Sequence, residues 1–234
     1  MRRENIAPLA FSVKLFGSQR LKAAVEATPF SSHLARLLAA ATLAGGMSPA
    51  SAFLVTIAPG TRAIYLQVGT GTFAGTYSTG GTPGNNATVN KVSVTVPAAA
   101  LGTGTRAMTS DSAVSNSPYD NFVFCTAPAQ VYIGGFYRLP GAGGNATLSV
   151  TTPATLSNAS ANTIAFSSIS WVSSGNGDPT ATIPSGTFAG ASQTLLSVAP
   201  NNWFESCMAF SYANAQAVAA GTFNGRATYT LTAP

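Results

Sequence analysis

The chain has 234 residues, 46% hydrophobic and only 7% charged, with 23 glycines and 14 prolines. An average soluble domain is roughly a quarter charged, and a disordered chain combines low hydrophobicity with high net charge, so this composition points to a folded, charge-poor, extracellular type of chain. The net charge of +5 is uneven: Arg2, Arg3, Lys14, Arg20, Lys22 and Arg36 against Glu4 and Glu26 give +4 in residues 1–52, leaving +1 for 53–234. No cluster of Lys and Arg follows residue 52 to neutralise phosphates, which excludes nucleic acid as an expected partner.

Residues 36–52 place a basic Arg36 before the apolar run 37–46, then small residues at Ala50 and Ala52. This is the pattern of a Sec-type signal peptide with an A-x-A site, and cleavage is expected after Ala52. The apolar run is too short for a bilayer anchor of about 20 residues, so no membrane span is expected after cleavage. The alternative is a buried N-terminal helix. The stretch before the run is unusually long for a signal peptide, so either the leader is extended or translation starts nearer the run. Arg2-Arg3 lies too far from the run to favour twin-arginine export. Residues 1–52 are therefore read as a leader and 53–234 as one domain. The destination is the periplasm, cell surface or extracellular space.

Beyond residue 52 short strand-like segments follow one another. FLVTIA (53–58) and AIYLQVG (63–69) flank a Pro-Gly turn. NKVSVTV (90–96) alternates, with Val92, Val94 and Val96 on one face and Lys91, Ser93 and Thr95 on the other, the period-2 signature of a half-buried strand. NFVFCT (121–126), VYIGGFY (131–137), ATLSVTT (146–152), TIAFSSISWV (163–172), TLLSV (194–198), MAFSY (208–212) and RATYTLT (226–232) continue the series. Gly-, Asn- and Ser-rich loops such as 78–86 and 173–179 separate them. The spacing predicts an all-β protein, an antiparallel Ig-like β-sandwich, with no linker that divides it into two.

The string G-T-F-x-G occurs at 71–75, 186–190 and 221–225. Its copies are irregularly spaced and extend into no longer similarity, so they form no repeat array. They read as strand-entry devices, with Phe73, Phe188 and Phe223 turned inward; a repeated ligand motif is the alternative.

The one histidine, His33, lies in the leader, so the exported domain is expected to lack histidine-based catalysis and ordinary zinc sites. A Ser-Lys pair would need Lys91, which alternation places toward solvent. Asp111, Asp120, Asp178 and Glu205 are the carboxylates of 53–234. Asp120 and Glu205 stand shortly before Cys125 and Cys207, so a disulfide would bring those two together, a weak pointer to paired-carboxylate chemistry. The loop 174–179 holds one carboxylate, too few for calcium. No enzyme activity, metal or cofactor is expected.

Two cysteines in an exported chain favour one disulfide, Cys125 to Cys207, over two buried thiols. Phe122, Phe124, Trp203 and Phe204 surround them in sequence and suit an inter-sheet bridge packed on aromatic rings. Trp203, Tyr137 and Tyr132 are candidate ligand-binding aromatics, Trp203 above all because Asn-rich turns flank it. Trp171 and Phe166 read as core.

The stretch AAGTFNGRATYTLTAP (219–234) resembles the closing strand of fimbrial, pilin-type subunits of chaperone–usher or spore-coat-like systems. Gly221 is fourteenth from the end, an alternating strand follows, and Tyr229 supplies the aromatic, sixth from the end rather than next to last. The cysteines also differ, because Cys125 lies 73 residues past Ala52 rather than early in the domain. The resemblance implies an incomplete sandwich whose missing strand comes from a neighbour, with FLVTIA as either such a donor or an ordinary first strand. It implies a secreted structural or adhesive surface protein that partners copies of itself. The alternative is a secreted carbohydrate-binding module with glycan partners.

Overall fold

A computed structural model describes residues 3–16, 55–74, 82–83, 88–175 and 182–234. The strands are β1 (Arg3–Leu15), β2 (Val55–Thr56), β3 (Ala63–Val68), β4 (Phe73–Ala74), β5 (Thr82–Pro83) and β6 (Asn90–Val96). They continue with β7 (Arg106–Ala107), β8 (Thr109–Ser110), β9 (Val131–Arg138), β10 (Ala146–Thr151), β11 (Thr155–Ser157) and β12 (Thr163–Ala165). Last come β13 (Ile169–Ser174), β14 (Gly186–Thr187), β15 (Ser192–Val198), β16 (Asn202–Tyr212) and β17 (Gly221–Ala233). The all-β sandwich expected from the alternation is the observed fold.

One sheet runs β12-β11-β17-β1-β6-β8, with β10 pairing β17 and carrying β15 beyond it. The other runs β14-β13-β16-β9-β3, with β2 and β7 also on β16. Alternation works as read: Val92 and Val96 of β6 are buried, as are Phe223, Ala227, Tyr229, Leu231 and Ala233 of β17. The outward residues of β17 join those of β10 and β15 in hydroxyl rows, Ser197–Thr147–Thr232, Thr194–Ser149–Thr230 and Ser192–Thr151–Thr228. Such a face stays solvated without charge.

The unexpected element is β1. Residues 3–15, assigned by sequence to the leader, lie in the middle of the first sheet, antiparallel to β17 along all of β1 and parallel to β6 from Leu9 to Leu15. Ala7, Leu9, Phe11, Val13 and Leu15 point inward and are buried. Phe11 meets Phe166, Phe188 and Phe210 edge to face at 5.2–5.4 Å, a favoured geometry for aromatic quadrupoles. The apolar run 37–46, Ala50 and Ala52 lie outside the described residues.

Of FLVTIA, Phe53 and Leu54 lie outside the described residues, Val55 and Thr56 form the short β2 paired with Asn202 and Trp203, and Ile57 is buried beneath it. The G-T-F-x-G copies place Phe188 and Phe223 in the main core, whereas Phe73 is partly buried against a separate cluster of Ile57, Tyr65, Phe136 and Trp203. Their glycines serve packing as well as turns. A Cβ on Gly186 would sit 2.9 Å from the Trp171 ring, and one on Gly225 would sit 2.8 Å from the Phe166 ring.

Candidate functional site

Trp203, Glu205 and Cys207 alternate along β16 onto the outer face of the second sheet, away from the main core. Tyr132, Gly134 and Phe136 of β9 do the same. Cross-strand pairing sets two rows there: Tyr65–Phe136–Trp203, which is apolar, and Gln67–Gly134–Glu205, which is polar. An outer sheet face is ordinarily solvated. Here residues 112–125 cross it as a strap, with Val114, Tyr119 and Phe124 packed down on the two clusters.

Covalent and polar contacts fix the strap. Cys125 and Cys207 are disulfide-bonded with Cα atoms 5.4 Å apart, as the cysteine count leads one to expect. The bridge differs from expectation in what it joins. It ties a strand to an overlying loop rather than sheet to sheet, and its company is Phe124, Tyr132 and Val114. Phe204 faces the main core instead, and Phe122 is 74% exposed. The segment 121–126 is no strand, apart from a single bridge between Val123 and Asn116. Asn121 takes a left-handed backbone (φ 63°), and Asp120 caps the turn by accepting from the Phe122 amide at 3.0 Å. That turn lifts Phe122 and Val123 into solvent.

Beneath the strap lies Glu205, 7% exposed. Its Oε2 accepts from Ser117 Oγ at 2.8 Å, Tyr132 Oη at 2.9 Å and Trp203 Nε1 at 3.0 Å. The donors come from the strap, from β9 and from β16 itself. Gly134 makes this possible: it stands opposite Glu205, and a Cβ there would lie 2.2 Å from Tyr132 Oη. The Tyr132 ring thus runs over a bare backbone to reach the carboxylate. Burial pushes the Glu205 carboxyl above the ordinary carboxylate range. The hydrogen bonds from Trp203, Ser117 and Tyr132 oppose that rise, and the charge of Asp120 adds to it.

The three aromatic candidates are therefore not surface platforms. Trp203, Tyr132 and Tyr137 are each 0% exposed. Trp203 stacks within the aromatic row under Tyr119 (5.6 Å), and Tyr132 serves Glu205 and the disulfide. Tyr137 points the other way, into the main core, where its hydroxyl has no hydrogen-bond partner. The Asn-rich turn at 201–202 does flank Trp203, but strap and neighbouring loops cover the ring. Asp120 and Glu205 are brought into one region, as the cysteine spacing implies, yet a hydrogen-bonded and covered Glu205 has the character of a structural group. Among the described residues no group of three or more His, Cys, Asp or Glu gathers to hold a metal ion. No helix among them is long and apolar enough to cross a membrane.

Comparisons add no relative to this picture: no family model, no curated protein and no solved structure matches the chain.

Proposed function

We propose that this chain is an exported structural or adhesive subunit whose sandwich is completed by an inserted strand, in the manner of fimbrial subunits. The observation that supports the reading is β1. It is a strand from far outside the rest of the domain, joined to it through residues 16–54, yet it sits between β6 and β17 and contributes five buried side chains. Cleavage after Ala52 would part β1 from the domain and leave a slot between β6 and β17. A strand from another copy or another chain then fills it, and subunits link into a surface assembly.

The experiment compares residues 53–234 alone with the same domain plus a synthetic peptide of residues 3–16. Alone, the domain is expected to self-associate or lose its cooperative unfolding transition; with peptide it should become a monomer with a raised Tm. A domain that is monomeric and stable alone, indifferent to the peptide, overturns the reading. Shearing cells should release the protein in assembled form, and recovery solely as a soluble periplasmic monomer would count against a surface role. The glycan-binding alternative rested on exposed Trp203, Tyr132 and Tyr137, and with all three rings buried no observation favours it.

A further inference from the structure

The strap is held on the sheet at two kinds of anchor. The disulfide fixes residue 125 irrespective of pH. Ahead of it, one polar anchor is a buried carboxylate, Glu205 Oε2, reached by Ser117 from the strap. Tyr119, two residues further on, covers Trp203. Lifting residues 112–124 would therefore remove the Tyr119 cover from Trp203 and the Phe124 cover from Tyr132, while the chain stays tethered through Cys125.

We propose that Glu205 is a proton-operated clasp on this strap: the protonated carboxyl holds residues 112–124 down over Trp203, and ionisation loosens them. Among the described residues, the groups that shift the proton affinity of the carboxyl come from three elements. The strap supplies the Ser117 hydroxyl and the carboxylate of Asp120, β9 supplies the Tyr132 hydroxyl, and β16 supplies the Trp203 indole. None is a cation. The three donors satisfy one oxygen but leave a net negative charge under an apolar cover, with a second negative charge nearby on the strap itself. Neutralising the carboxyl keeps Oε2 as an acceptor and removes both the burial cost and the repulsion from Asp120.

The direction follows from linkage. The carboxyl binds its proton more tightly in the closed form than when open to water. Closure is therefore favoured in acid and weakens as pH rises above the ordinary Glu value of 4.5. Glu205→Gln mimics the protonated state: it keeps an oxygen for the three donors and carries no charge. Clasp and slot are independent, since Glu205 faces away from the core that β1 completes.

Hydrogen exchange read by mass spectrometry on the disulfide-intact protein, corrected for intrinsic exchange rates, tests the proposal. Protection of amides 113–124 in the native protein should fall several-fold between pH 5 and pH 8, because the closed form binds the Glu205 proton more tightly than the open form does. In Glu205→Gln it should stay at its acid level throughout. Native protection that is flat or rises with pH overturns the clasp, as does a variant that follows the native pH profile. Should Glu205→Gln fail to fold, the Trp203 indole N–H resonance of the native protein decides. It should titrate with a midpoint above 4.5, and an indole signal unmoved between pH 4 and 8 overturns the proposal.

Discussion

Replacing both half-cystines, Cys125→Ala with Cys207→Ala, is expected to remove about 5 kcal/mol of stability. The bridge spans 82 residues, so it denies the unfolded chain a large share of its conformations. Loop-closure entropy for a ring of that size is worth ~4.5 kcal/mol. On the native side, Cys125 and Cys207 are 3% and 0% exposed against Phe124 and Tyr132. Two missing sulfur atoms leave a small void there, worth on the order of 1 kcal/mol. Domains hold roughly 5–15 kcal/mol in total, so the variant should fold only marginally. Urea unfolding followed by far-UV circular dichroism gives the answer. With a slope of about 2 kcal/mol per molar urea, the midpoint should drop by roughly 2.5 M, and the slope should steepen because the unfolded state expands. A midpoint shift under about 0.5 M at unchanged slope would refute the reasoning, since the bridge would then constrain neither the unfolded chain nor the strap.

Three smaller perturbations probe the packing separately. Gly134→Ala forces the Tyr132 hydroxyl off Glu205 and meets the Phe204 carbonyl at 2.9 Å; a loss of about 2–3 kcal/mol in chemical denaturation is expected, and a change below about 0.5 kcal/mol would place Tyr132 elsewhere. Tyr229→Phe removes a wholly buried hydroxyl that has no hydrogen-bond partner, so Tm should hold or rise, and a loss above about 1 kcal/mol would reveal a partner for it. In the full-length chain, Phe11→Ala should cost about 3–5 kcal/mol, because its ring touches three others; full-length protein indifferent to the change would mean that β1 is not in the sheet.

Much of the sandwich was legible because alternation is a local signal. Val92, Val94 and Val96, and the run from Phe223 to Ala233, announce their inward faces without reference to any partner. The same signal exists at Ala7, Leu9, Phe11, Val13 and Leu15, but it stands ahead of an apolar run with a cleavage pattern, and position made it read as leader. The outer face of the second sheet could not be read in this way. Whether Trp203 meets water depends on a loop some 80 residues earlier in sequence lying across it, and that is a tertiary fact. The segment NFVFCT shows the converse error: its β-forming composition is real, but the left-handed Asn121 and the anchored Cys125 hold it as a loop. Gly134 carried a usable clue, since a Gly-Gly pair inside an aromatic strand marks a place where something crosses the backbone closely.

The topology also sets an order of events. β16 pairs with β2, β7, β9 and β13, and β17 pairs with β1, β10 and β11. Each of these two strands lies at the interior of its sheet, and each comes later in sequence than every strand it joins. A ribosome delivering this chain therefore presents a long series of edges with no centre, and neither layer can close until β16 and β17 emerge. β1, β2 and β7 wait for partners at the far end of the chain, and such distant pairings slow collapse. Such a chain keeps several of its described strands without their central partner until late in its synthesis. The same delay leaves its unpaired strands open to one another, so the moments before β17 arrives are when a chaperone has the most surface to protect.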